Sequence, residues 1–324
     1  GVDGSYPYGF TALGGYLYFQ AYDDAHGTEL WRTDGTTTTF VRDINSGAGD
    51  SNPLGFTVLG GYLYFKAYDS THGTELWRTD GTTTTLVSDI NVGSEGSGPQ
   101  YFTALGSYLY FKAYDSTHGW ELWRTDGTTT TLVRDIYVGT GSSGPQGFTA
   151  LGSYLYFLPD DGTHGTELWR TNGTTTTLVS DINPGAGDSN PQGFTALGGY
   201  LYFQADDGTH GTELWRMNID ERAAATVKPF VSGTATVGRT LSAMGTWTGY
   251  PTPTLTYQWY ACTSAVSAVR TTVPSTCKKI TGATRGTYVL TSAQRGKYVT
   301  VLVTGKSLRT SATPWLAKTT TKVR

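Results

Sequence analysis

Cysteine is nearly absent from the 324 residues; the two present, Cys262 and Cys277, both fall in the last third. Two thiols with no CxxC spacing and no His cluster beside them exclude a Cys-rich metal site, so a disulfide and an extracellular compartment are expected. Charge is also thin, at 15% Asp, Glu, Lys and Arg, against about a quarter in ordinary domains. No run of 18 apolar residues occurs, which excludes a membrane-spanning helix. The segment at Gly1 lacks the charged and apolar regions of a secretory signal, so export is expected to follow removal of a leader. There is no GxSxG, HExxH or Walker sequence either. Together these gaps remove the usual signatures of hydrolases, zinc proteases and nucleotide-binding enzymes.

What is present is a repeat. Trp31, Trp77, Trp123, Trp169 and Trp215 stand 46 residues apart, each within the sequence ELWR. Residues 56–101 and 102–147 share 37 of 46 positions without a gap. A fixed period of this length marks one supersecondary unit that buries its apolar face only by stacking on its neighbours. Gly, Thr and Tyr are abundant, which favours strands and turns over helix.

In the second copy, residues 56–60, 62–69, 74–79 and 83–90 read as four strands. They are separated by Gly60-Gly61, by the loop at Ser70 to Gly73 and by Asp80-Gly81. Such turns make an antiparallel four-stranded sheet, as in one propeller blade. YLYF is apolar on both faces, as expected of a strand covered on both sides. The chain is therefore expected to be all-β, a five-bladed β-propeller over residues 1–220 followed by a separate domain over 221–324. An open solenoid of the same period is the alternative architecture.

Only four copies of the TTTTLV strand accompany five of the others. The fifth blade is thus expected to keep three strands, or to borrow one from residues 223–230, residues 318–324 or another molecule.

The array resembles the ELWxxDGT repeat family of secreted bacterial proteins, through Glu29-Leu30-Trp31-Arg32-Thr33-Asp34-Gly35-Thr36 and the copies at Glu75, Glu121 and Glu167. Asn172 replaces the Asp in the fourth copy, and the fifth departs at Met217-Asn218. The resemblance implies an exported propeller-like module with no shared catalytic residues.

The tail reads as about seven short strands, with Trp259 as a core aromatic and Gln294 to Tyr298 as a tyrosine-corner turn. It resembles the Ig-like repeats of bacterial surface proteins at Gly233 to Gly238, Tyr257-Gln258-Trp259-Tyr260, Ile280 to Thr284 and Tyr298 to Val301. Thr300 stands where an antibody domain has its second inter-sheet Cys. The resemblance implies a spacer, anchor or docking Ig-like β-sandwich.

Residues 1–220 carry 25 acidic and 9 basic side chains, a net charge near -16, whereas 221–324 carry 1 and 14, near +13. Opposed domains of this kind favour head-to-tail contact between copies. The expected function is a non-catalytic extracellular structural or adhesive subunit that self-associates through its acidic propeller and basic Ig-like domain. A multivalent carbohydrate-binding propeller is the alternative.

Candidate binding residues on the loop face are His26, His72, His118, His164 and His210, with Tyr22, Tyr68, Tyr114 and Trp120 as sugar-stacking surfaces. The histidines are expected to cap their own hairpins by bonding a loop carbonyl or the nearby Asp. Repetition of every His, Asp and Glu on separate blades argues against one converging catalytic set, so no enzyme is expected. No cofactor is expected; Asp160-Asp161-Gly162 and Asp206-Asp207-Gly208 offer oxygen ligands for Ca2+ without EF-hand spacing. Partners are expected to be other copies of the chain, surface glycans or an anionic cell-wall polymer, not a specific nucleic acid.

Overall fold

A computed structural model describes residues 4–219, 223–250, 252–307 and 312–324. Two compact units result, one formed by the chain up to Phe194 with Phe203–Trp215, the other by Thr195–Tyr202 with Arg216–Arg324. The boundary expected at 220/221 lies outside the described residues.

Each 46-residue repeat forms its own antiparallel sheet in sequence order. The first sheet holds β1 (Tyr8–Leu13), β2 (Tyr16–Asp23), β3 (Gly27–Thr33) and β4 (Thr38–Arg42). The second holds β5 (Leu54–Leu59), β6 (Tyr62–Asp69), β7 (Gly73–Thr79) and β8 (Thr84–Ser88). The third holds β9 (Gln100–Leu105), β10 (Tyr108–Asp115), β11 (Gly119–Thr125) and β12 (Thr130–Arg134). The fourth holds β13 (Gln146–Leu151), β14 (Tyr154–Leu158), β15 (Leu168–Thr171) and β16 (Thr176–Ser180).

The fifth sheet has only β17 (Gln192–Leu197), β18 (Tyr200–Asp206) and β19 (Thr212–Asn218). Neither segment of this chain considered as a fourth strand is used there. Ala224–Ser232 (β20) pairs with Thr240–Thr248 (β21), and the 318–324 segment bonds Lys297, Val299 and Ala235.

Turn chemistry fixes the register. Asp80 Oδ1 accepts the amides of Thr82 and Thr83 at 2.8 Å, and its counterparts Asp34, Asp126 and Asn172 do the same, which locks the β7–β8 type of hairpin. The core lies between sheets. Tyr18, Leu30 and Ile44 of the first repeat pack on Leu63, Phe65, Ala67 and Trp77 of the second, and this set recurs one and two repeats on. YLYF is covered on both faces because it sits at this seam: Leu63, Leu109 and Leu155 are fully buried.

At the two ends that rule stops. Leu17 is 37% exposed, and Leu214 is 76% exposed where Leu30, Leu76, Leu122 and Leu168 are at 0%.

The second unit forms two sheets. One is β20, β21 and β24 (Thr287–Val289); the other, in spatial order, is β23 (Cys277–Lys279), β22 (Thr254–Cys262), β25 (Tyr298–Lys306) and β26 (Trp315–Leu316). Leu241, Trp259, Val299, Val301 and Val303 form their shared core. Trp259 is fully buried and donates its indole N–H to the Arg285 carbonyl at 2.8 Å. The expected tyrosine turn is made differently, because Tyr288, not Tyr298, donates its hydroxyl to Gln294 Oε1 at 3.0 Å. Tyr298 faces the other side of its strand and packs beside the Cys262–Cys277 disulfide. That disulfide joins β22 to β23, so it staples neighbouring strands, not the two sheets.

Candidate functional site

The five histidines are not a joint site. Each turns its Nδ1 to the Asp three residues before it, at 2.8 to 2.9 Å, in the pairs Asp23–His26, Asp69–His72, Asp115–His118, Asp161–His164 and Asp207–His210. The same carboxylates accept the His backbone N–H, so each pair closes one β2–β3-type hairpin. Asp161 and Asp207 are thereby occupied in their own loops, and no group of three metal-ligating side chains forms among the described residues. The hydrogen bond to His210 pulls Asp207 down to about 2, and the Asp partners hold every His above its usual range.

The residue that joins the inter-sheet loop to the array is the Glu of ELW, which the sequence presents only as part of a signature. Glu29, Glu75, Glu121 and Glu167 are fully buried. Each accepts the hydroxyl of a Ser 22 residues on, at 2.5 to 2.6 Å: Ser51, Ser97, Ser143 and Ser189. Backbone amides of the same loop, such as Asn91 and Ser97 on Glu75, complete the latch. Burial pushes the Glu75 carboxyl up to about 7 despite those bonds.

A raised carboxyl pKa means that folding binds a proton. The stability it contributes is present below the ordinary value near 4.5 and is lost as pH climbs through about 7. The raised His groups act in the same direction above 6.5, and the lowered Asp groups act only as pH falls below 3.8. Stability is therefore expected to peak between about pH 4 and 5 and to decline toward pH 8. Glu75→Gln should remove on the order of 3 kcal/mol of that decline, measured by urea titration at both pH values.

The aromatic candidates divide. Tyr22, Tyr68 and Tyr114 occupy one repeated slot, each donating its backbone N–H to a loop serine carbonyl: Ser5, Ser51 and Ser97. Asp160 and Asp206 take that position in the fourth and fifth sheets. The tyrosine platform is thus confined to the first three sheets, and Trp120 stands in only one of them. That one is distinctive.

In the third sheet two side chains unlike all their sister copies, Tyr101 and Trp120, converge on Lys112. Tyr101 replaces the glycine of the β-bulge found at Gly9, Gly55, Gly147 and Gly193, and it keeps the bulge's left-handed backbone at φ 60°. Such a conformation costs a non-glycine residue on the order of 1 kcal/mol and is tolerated chiefly where function uses it. Trp120 replaces a Thr, and Lys112 matches Lys66 of the second copy, where the first, fourth and fifth have Gln20, Leu158 and Gln204.

The Lys112 ammonium lies 4.9 Å from the Trp120 ring and 5.9 Å from the Tyr101 ring. Tyr114 is 5.7 Å from Trp120, and Tyr101 is 6.0 Å from Phe148. Burial lowers the Lys112 pKa, and among the described residues no carboxylate pairs with it. Tyr101, 49% exposed, also walls two clefts along the row of first strands. One, of about 630 Å³, lies toward Phe148 and Phe194; the other, of about 850 Å³, lies toward Phe10, Phe56 and Lys66. The nine differences between residues 56–101 and 102–147 contained this signal, since Trp120 and Tyr101 are two of them.

No family model matches the chain, and no curated protein matches it. Solved structures do. A puromycin hydrolase is 12% identical over 72% of this chain and 42% of its own length, with a TM-score of 0.40. The SapL1 lectin, solved with alpha methyl fucoside, is 15% identical over 77% and 97%, with a TM-score of 0.32. The AtxE2 isopeptidase is 11% identical over 93% and 56%, with a TM-score of 0.26. This chain spans less than half of the hydrolase it matches.

The expectation that the chain is not an enzyme is withdrawn. Enzymes stand among the similar folds, and the lack of a known motif does not exclude chemistry grafted onto such a scaffold.

Proposed function

We propose that the chain is an extracellular glycan-binding repeat protein. Its principal site is on the third sheet, where Tyr101, Tyr114 and Trp120 present ring faces and Lys112 supplies a donor. The convergence of Tyr101, Lys112 and Trp120 carries this reading. Flat aromatic faces beside a few fixed polar groups suit a sugar ring, which is apolar on one face and hydroxylated at its edge. Lys112, beside two rings, can donate to ring hydroxyls or to a sugar carboxylate. The disulfide supports the extracellular setting. The resemblance of the array to ELWxxDGT repeat proteins, and of the tail to Ig-like repeats of bacterial surface proteins, fits the same setting.

The sister copies supply substitutions that the fold already accepts. Tyr101→Gly, Lys112→Gln and Trp120→Thr each restore a residue found at that position elsewhere in the array. Wild-type protein screened on a glycan array should bind a limited set of sugars, and Trp120→Thr should weaken the strongest signals by at least tenfold, about 1.4 kcal/mol. Each variant should stay within about 1 kcal/mol of wild-type stability. An array blank for the wild type, or unchanged by all three substitutions, overturns the proposal.

A further inference from the structure

We propose that the ligand of the third-sheet site is an acidic oligosaccharide, a chain whose carboxylates or sulfates meet Lys66 and Lys112 as its rings cross Tyr101. This rests on the glycan-binding reading and adds to it a charge and a length.

The charge follows from where the array puts its lysines. Residues 1–220 hold 25 acidic side chains and only two lysines. Both lysines occupy one repeated position: the β5–β6 register sets Lys66 opposite Leu54, and the β9–β10 register sets Lys112 opposite Gln100. Each therefore flanks the bulge of its first strand, where Gly55 and Tyr101 take left-handed backbone. Lys66 lines the cleft of about 850 Å³ that Tyr101 walls, and Lys112 lies 5.9 Å from the same ring.

Neither that cleft nor its neighbour toward Phe148 has an Asp or Glu among its described lining residues. The arginine of ELWR is engaged elsewhere, Arg78 over Tyr62 and Arg124 over Tyr108, both at 4.4 Å. Among the described residues no carboxylate forms an ion pair with either lysine. Both are half-buried. An ammonium so placed gives up part of its hydration, and an anion that pairs with it offsets that cost. Neutral sugars offer hydroxyl hydrogens, which carboxylates accept most strongly. A lining with two cations and no carboxylate instead suits a sugar that carries the negative charge itself.

The length follows from the row of first strands. β1, β5, β9 and β13 pack side by side in that order, and the two clefts lie on either side of Tyr101. A single sugar occupies one cleft. A chain crossing Tyr101 occupies both and repeats its anionic group as the array repeats its lysine.

Calorimetric titration of the full chain with three hexasaccharides tests it: an all-uronate chain, the same chain with its carboxyls reduced to alcohols, and a sulfated chain. The uronate or the sulfated chain should bind, and the tighter of the two identifies the anion. The reduced chain should bind about tenfold more weakly, and added salt should weaken the acidic chain alone. Lys66→Gln should weaken acidic binding about threefold, and Lys66→Gln combined with Lys112→Gln about tenfold. Glutamine stands at this position in the first and fifth copies, so the exchange suits the fold. If the reduced chain binds as tightly as both acidic chains and Trp120→Thr alone abolishes binding, the acidic ligand is overturned and the glycan reading stands. Acidic binding that the double variant leaves intact, as contact with the basic tail would be, also overturns it. A single uronate bound as tightly as the hexasaccharide overturns the length. No binding of any sugar, with a blank array, removes both readings.

Discussion

Glu75→Ala is expected to destabilise the array by about 3 to 5 kcal/mol, read as a fall in the urea midpoint. The carboxylate is fully buried and serves three donors at once: the Ser97 hydroxyl, the Ser97 amide and the Asn91 amide. Alanine leaves all three inside a seam that admits little water, and each unsatisfied buried group costs about 1 to 3 kcal/mol. The loop they belong to carries the chain from one sheet to the next, so its loss should loosen the second and third repeats together. Glu213→Ala is the matched control, since the same residue type at the same repeat position is exposed; in dilute solution it should stay within about 0.5 kcal/mol of wild type. Equal costs at the two positions would mean that the latch contributes nothing.

A second large effect is expected at Gly127. This glycine tips the β11–β12 turn at φ 89°, and a Cβ there would overlap Tyr64 Oη and Arg78 Nη1 of the preceding sheet. Gly35 has the same φ of 89° and open space around it. Alanine at either position bears the left-handed strain, about 1 kcal/mol. Only Gly127→Ala must also displace the Tyr64 hydroxyl and the Arg78 guanidinium, for about 1 to 2 kcal/mol more. Thermal unfolding of the pair isolates how firmly each Asp-Gly turn is seated on the sheet before it. If both variants melt alike, the seating is not part of what holds the repeats together.

Much of the array was legible because the repeats agree so closely. Gly60-Gly61 and Asp80-Gly81 fix two hairpins by backbone chemistry that needs no tertiary context, and YLYF, apolar on both faces, announces burial on both sides. The His role was equally local, set by an Asp three residues earlier. What escaped depends on packing between repeats. Glu75 reads as a solvated charge in sequence, because carboxylates are seldom fully buried, and its Ser partner lies 22 residues away. The tyrosine turn of the tail failed because Tyr288, on β24, meets Gln294, while Tyr298, on β25, packs beside the disulfide. A multivalent platform of equivalent copies hides the opposite fact, that Tyr101 and Trp120 set the third sheet apart.

That asymmetry is the centre of the functional account, and calorimetric titration with the best array ligand tests it most directly. The wild type should show one dominant site per chain, lost in the chain carrying Tyr101→Gly, Lys112→Gln and Trp120→Thr together. Several equal sites per chain, or an unchanged isotherm in the triple variant, would contradict it.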